Sequence, residues 1–276
     1  MFSRDGIGLG FGARRRSNAF LPALSEIEFA WRERFSVVQF YGQEFGLEEV
    51  QLGASLDEVS TALTERDIAA VMEMVIRVDG KGLTDAGQSP YQVLMANLPA
   101  ITALPCVHVH WHLVPTFARA DYSEFESSLL DEFLKAVKLA GEHGFKFGFE
   151  HNEPDLGLFA SPESVAAMLD KVNGLGLVWD LNHTPQNQWV DYLQFVPRMS
   201  MLHISDTPLP ELNYHLPIGE GSIVFSLLMN EVWDRGFRGF GILEVGGLPK
   251  SGGYGKDTNE ALRESRYQLL KMQGPS

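Results

Sequence analysis

Short apolar runs alternate with amphipathic segments along nearly the whole chain. The runs fall at 6–12 (GIGLGFG), 36–42 (SVVQFYG), 69–78 (AAVMEMVIRV), 106–114 (CVHVHWHLV), 145–151 (FKFGFEH), 175–181 (LGLVWDL), 199–205 (MSMLHIS) and 240–246 (FGILEVG). Runs of this length, bounded by polar and glycine-containing stretches, read as strands. Helical periodicity fills the intervals: SEIEFAWRERF, SLDEVSTALTERD, SPYQVLMANLPAITAL, YSEFESSLLDEFLKAVKLAGEHG, SPESVAAMLDKVNG, NQWVDYLQFV, FSLLMNEVWDRGF and DTNEALRESRYQLLKM. Ser161 before Pro162 and Glu163 supplies a capping hydroxyl, a proline at the first helical position and an acid in the first turn. Gly144, Gly174 and Gly236 stand where helices stop.

Strands alternating with helices imply parallel pairing, because parallel neighbours need a crossover. Eight such units in 276 residues predict an α/β fold, a (β/α)8 TIM barrel with an eight-stranded parallel sheet, as a single domain over 1–276. The main alternative is a doubly wound open sheet, which usually carries a glycine-rich phosphate loop after its first strand. Gly8, Gly10 and Gly12 lie there, but they alternate and lack the G-x-G-x-x-G spacing.

In a barrel the chemistry gathers at the C-terminal strand ends. Along the fifth run Phe145, Phe147 and Phe149 share one face, which suits the helices, and Glu150 shares the opposite, inward face with Lys146 and Gly148. The sixth run ends at Asp180, the seventh at His203 and the eighth at Glu244. Taken singly, each has an ordinary reading: Glu150 or Glu244 as a salt-bridge partner, His203 as a hydrogen-bonded core residue, Asp180 as a helix cap. Taken together, three carboxylates and an imidazole at matching heights would repel one another without a cation. A divalent metal resolves that repulsion, and mixed oxygen and imidazole donors suit Mn²⁺ first, with Mg²⁺, Co²⁺ and Zn²⁺ as alternatives.

On the fourth run His108, His110 and His112 share one face and line the barrel. Interior hydrogen bonding suits His108, and substrate contact suits His110 or His112. Trp111 and Trp189 are either sugar-stacking faces or packing residues.

Composition narrows the classes. The net charge is −14, so the surface repels nucleic acid, with only Arg14 to Arg16 as a basic cluster. No apolar run approaches the roughly 20 residues that cross a bilayer. The single cysteine, Cys106, lies in an apolar run, which suits a buried thiol and a cytoplasmic protein.

The series FEHNEP, WDLNH, LHISD, HLPIGEG and LEV resembles the xylose-isomerase-like barrel superfamily over 145–246, with the rest resembling it by barrel periodicity. That group includes ketose 3-epimerases, hydroxypyruvate isomerase, inosose dehydratase and isomerase, and AP endonucleases. The resemblance implies one divalent metal on Glu150, Asp180, His203 and Glu244, and a substrate-contacting His183. It also implies a basic contact at His215, where epimerases favour arginine. A second epimerase glutamate has no match, since Leu156 stands there and Glu153 is nearer. The implied activity is a sugar, inosose or keto-polyol isomerase or epimerase, with Glu150 and Glu244 moving a proton next to a carbonyl through an enediolate. Returning that proton elsewhere, or protonating a departing hydroxyl, makes the same site an isomerase or a dehydratase. Barrels of this type are often homo-oligomers. A zinc phosphodiesterase of the AP-endonuclease type is the second reading, although it needs further histidines on the third and fourth strands and an Asp-x-His pair. Asp206 and His215 are too far apart for that pair. A catalytically silent ligand-binding barrel is the third. Lys250 and Lys256 are candidates for a substrate phosphate or, more simply, solvated lysines.

Overall fold

Inward and outward alternation along the strands decides the architecture. The structure, a computed structural model, describes residues 22–104, 106–247 and 251–272, with only the backbone of Ile7–Gly10, Arg15–Arg16 and Ala19–Phe20 before them. The short β1 is Ile7–Gly10. The longer run of the sheet is β2 (Val37–Tyr41), β3 (Ala69–Val78), β4 (Cys106–Pro115), β5 (Lys146–Glu150), β6 (Gly176–Asp180), β7 (Met199–Ile204) and β8 (Phe240–Leu243). From β2 to β8, neighbours in the chain are parallel neighbours in the sheet. β1 pairs in parallel with both β8 and β2, so the sheet closes into a TIM barrel and is no open sheet. Register sets His112 beside Glu150 and Asp180 beside His203, which puts the chemistry-bearing ends on one rim.

The helices are α1 (Ala23–Arg32), α2 (Glu49–Leu52), α3 (Leu56–Glu65), α4 (Pro90–Ala103), α5 (Ser123–Ser128), α6 (Leu130–His143), α7 (Pro162–Lys171), α8 (Trp189–Tyr192), α9 (Phe225–Asp234) and α10 (Asn259–Lys271). Reciprocal caps start α3 (Ser55 with Glu58) and α4 (Ser89 with Gln92), and Ser161 caps α7 as expected. Two predicted helices are interrupted. The long segment after Tyr122 divides into α5 and α6 at Leu129, where Glu126 turns inward and accepts the N–H of Phe159 at 2.7 Å. NQWVDYLQFV becomes one turn of α8 between two 3₁₀ segments, and the second of these contains Pro197, which has no amide hydrogen to donate.

Outside the barrel, Trp111, Phe133, Phe147, Phe149 and Phe159 pack ring against ring with centroids 4.8–5.8 Å apart. Trp111 is therefore a packing residue. Trp189 leans on the same core and donates to the Thr184 carbonyl at 3.1 Å. Inside the barrel Val37, Val71, Val178, Met201 and Ile242 form a small apolar cluster. Here, too, His108 Nε2 meets Ser200 Oγ at 2.8 Å, the interior hydrogen bond expected of it. Gly148 and Gly176 make the room, since a Cβ on Gly176 would lie 2.5 Å from Ser200 Oγ. Cys106 is buried, and burial pushes its thiol up to about 12. No helix among the described residues is long and apolar enough to cross a membrane.

Candidate metal centre

Each residue of the expected cluster reaches the rim from its own strand. Glu150 closes β5, Asp180 closes β6, His203 is the penultimate residue of β7, and Glu244 follows β8 directly. All are buried, with relative exposures of 1%, 0%, 0% and 9%. One ligand atom from each lies within 4.8 Å of the others. His203 Nδ1 is 3.2 Å from Glu150 Oε2 and 3.2 Å from Glu244 Oε2.

Hydrogen bonding at this centre is incomplete. Both oxygens of Glu150, Oδ2 of Asp180 and Nδ1 of His203 are buried without a hydrogen-bond partner. Unsatisfied buried polar atoms are costly, and buried charges need partners. Three oxygen donors and an imidazole nitrogen converging on one small volume form a donor set that fits a divalent cation. The residues present therefore fit a bound metal.

Electrostatics describe the same arrangement without the metal. Burial works against charge on His203, but Glu244 and Glu150 hold its imidazole well above the usual histidine range. Burial would raise Glu150, yet the charges of His112, His203 and His183 hold its carboxyl well below the usual range. Asp180 moves the other way, raised by burial. Histidine charge thus balances the buried acids.

A family model described as xylose isomerase-like TIM barrel matches residues 42–267. The chain belongs to this family. No curated protein matches it in sequence. Among solved structures it is similar to the IolI protein with a bound zinc atom, at 16% identity over 97% of this chain and 96% of that one, TM-score 0.75. It is similar also to 3-keto-D-glucoside 4-epimerase YcjR of E. coli, at 12% identity over 97% and 99% of the two chains, TM-score 0.73. The AP endonuclease, family 2, of Brucella melitensis shares 16% identity over 92% and 97%, TM-score 0.66. At these identities the likenesses show the fold.

Around the centre of this xylose isomerase-like barrel, the remaining expected residues take different positions. His183 Nδ1 lies 3.3 Å from Glu150 Oε1, and its Nε2 lies 3.3 Å from Asp180 Oδ2. His112, partly open to the mouth, faces Glu150 and Glu73 from Nδ1 at 3.5 and 3.6 Å. Burial opposes its charge, but Glu150 and Glu73 push it up to about 10. His110 is 0% exposed, its ring edge lies against His203, its Nε2 stands 3.9 Å from Glu150 Oε2 and neither ring nitrogen has a hydrogen-bond partner, so the structure sets it apart from the partly open His112. His215 is half-buried, with Nδ1 on the Glu244 carbonyl at 2.9 Å and Nε2 on Asn213 Oδ1 at 2.7 Å. Asn213 in turn donates to Glu153 at 2.9 Å. Lys256 pairs with Glu220 at 2.6 Å on the surface, while Lys250 lies outside the described residues.

Sequence reasoning passed over Gln39, Tyr41 and Glu73. Gln39 Nε2 donates to Glu73 Oε2 at 2.8 Å and to Glu244 Oε1 at 2.9 Å, and Tyr41 donates to Glu244 Oε1 at 3.3 Å. Burial and the nearby Glu244 push Glu73 up to about 7. The available signal was a lone glutamine and a lone glutamate inside otherwise apolar strands, where an unpaired polar group is costly.

Proposed function

We propose that this chain is a metal-dependent isomerase or epimerase of a free or phosphorylated sugar, inosose or related keto-polyol. The whole chain is read as one (β/α)8 barrel domain around one divalent ion, Mn²⁺ by preference, held by Glu150, Asp180, His203 and Glu244. The carrying observation is the pair of carboxylates, Glu150 from β5 and Glu244 from the end of β8, that both lie 3.2 Å from His203 Nδ1.

A divalent cation bound there would act as a Lewis acid on a carbonyl and its neighbouring hydroxyl. The protein's part is proton movement and orientation. One of the two glutamates takes the proton from the carbon beside the carbonyl, and the other returns one from the far side, which inverts the centre. Gln39 and Tyr41 hold Glu244 through Oε1, leaving Oε2 turned toward the site. His183, His112 and His215 are read as the groups that meet substrate oxygens and the charge of the enediolate, His215 by exchanging its Nε2 bond to Asn213 for one to substrate. His110, beneath them, supports this layer from below.

The phosphodiesterase reading is less well supported. Asp206 is the nearest aspartate before His215, and its carboxylate is taken up by the backbone N–H groups of Thr207, Gly219 and Ile223 at 2.9–3.1 Å. Its three hydrogen bonds all go to that loop, which turns it to a structural task.

The test is elemental analysis of the purified protein, followed by solvent-deuterium exchange into a panel of ketoses and inososes. The expected result is about one divalent ion per chain and deuterium appearing next to the carbonyl of one substrate class, abolished by EDTA. Protein that takes up no metal even from added Mn²⁺ would sink the mechanism. Two or three tightly held zinc ions with abasic-DNA cleavage would replace it with the nuclease.

A further inference from the structure

Gln39 is fully buried on β2, and its side-chain amide touches three groups of the centre at once. Nε2 donates to Glu73 and Glu244, and Oε1 faces His203 Nε2 at 3.1 Å. The acids settle which way round this amide lies, because an ionised carboxylate accepts and an amide NH₂ only donates. Turned over, it would set its oxygen against two carboxyl groups and lose both bonds. With Oε1 committed to His203, the ring must carry its hydrogen on Nε2. Nδ1 is then the nitrogen that gives up its proton and offers its lone pair when a cation binds, and it is Nδ1 that faces Glu150 and Glu244.

The same device recurs at His112. Asn152 donates from Nδ2 to the carbonyls of Leu113 and Leu158 at 2.8 and 2.7 Å, which fixes its orientation, and its Oδ1 meets His112 Nε2 at 2.9 Å. Here too Nδ1 is the nitrogen that faces the acids. Two unrelated strand ends thus use a pinned amide to aim an imidazole.

We propose that Gln39 is a positioning residue of the metal centre: it sets His203 as the Nε2–H tautomer, aims Nδ1 at the cation and ties back the far oxygen of Glu244. The inference rests on the metal-binding reading above. Partners of this kind, one step behind the ligands, fix ring orientation and ligand basicity.

The test uses the full chain stripped with EDTA. Mn²⁺ is titrated in while the free ion is followed by EPR. The Zn²⁺-loaded, ¹⁵N-histidine protein is examined by long-range ¹H–¹⁵N correlation, with the His203 signals assigned by their loss in His203→Gln. Gln39→Met keeps the volume and removes donor and acceptor together; its Mn²⁺ affinity is expected to fall about 10- to 100-fold, with loss of the Nε2–H pattern of His203. Gln39→Glu still offers His203 an acceptor and is expected to keep that pattern. A Met variant with wild-type affinity and unchanged His203 signals overturns the inference and leaves the metal reading intact. Wild-type protein that binds no Mn²⁺ overturns the metal reading itself. Should the Met variant fail to fold, the Glu variant decides, because loss of the Nε2–H pattern there also overturns the proposal.

Discussion

Asp180 divides its carboxylate between Asn182 and the site: Oδ1 accepts the Asn182 backbone N–H at 2.6 Å, while Oδ2 is buried with no hydrogen-bond partner. One oxygen shapes the turn that follows β6, and the other is the one the proposed function assigns to the cation. The two roles separate by substitution. Asp180→Asn keeps an acceptor for Asn182 and removes one negative charge from a crowded acidic centre. Its metal-free form should therefore unfold at a temperature equal to or above that of the wild type, while Mn²⁺ affinity drops by at least about 100-fold. Differential scanning fluorimetry with EDTA and a Mn²⁺ titration check both halves. A variant that loses stability and keeps its affinity would assign Asp180 to the turn alone.

Metal should also stabilise the fold. Glu150, Asp180 and Glu244 lie together in the dry interior of the rim. A ligand that binds only the folded state adds about 2.7 kcal/mol at 100 times its dissociation constant. For a chain of this size that corresponds to a rise of about 5 °C in the unfolding midpoint. Scanning calorimetry of EDTA-treated protein with and without Mn²⁺ should show that rise, and Glu150→Gln with Glu244→Gln should remove it. Equal midpoints in the wild type would mean that the centre holds no ion.

The strand ends were legible because Glu150, Asp180, His203 and Glu244 each break an apolar run at the position where a barrel places its chemistry. Gln39 and Glu73 escaped for the opposite reason. They lie within the runs SVVQFYG and AAVMEMVIRV, and their partners come from closure of the sheet: Gln39 and Glu244 are 205 residues apart. Only a closed barrel makes β2 and β8 near neighbours, through β1. The split at Leu129 was invisible for a related reason. The helical pattern runs through it without a break, and it is the distant Phe159 amide that draws Glu126 inward.

Asp206 should carry the loop that follows β7. Its Oδ1 accepts from Thr207 and Ile223, and its Oδ2 accepts from Gly219. A Cβ on Gly221 would run into Asp206 Oδ1, so the glycine lets the loop close over the carboxylate. Asp206→Ala leaves three inward-facing N–H groups without an acceptor, at an expected cost of about 3 kcal/mol in urea unfolding. Asp206→Asn retains one acceptor oxygen and should cost about half as much. Equal stability of the Ala variant and the wild type would show that the loop is held by something else.

His108 predicts an acid-sensitive interior. Burial holds its ring neutral, and the charges of Lys146 and His203 add to this, lowering it to about 3. An unfolded imidazole takes up its proton below about pH 6.5. Between pH 6.5 and about 3 the unfolded chain therefore binds one more proton at this residue than the folded chain, and folding is weakened as the pH falls. His108→Gln removes that proton while offering Ser200 a polar partner. Its stability should decline less steeply over this range, by about 1.4 kcal/mol per pH unit, in urea unfolding series from pH 6.5 downward. Above pH 6.5 both rings are neutral and the two slopes should coincide. If the variant instead tracks the wild type throughout the acid range, His108 takes up its proton in the folded barrel, and the Ser200 hydroxyl must then be accepting from the ring.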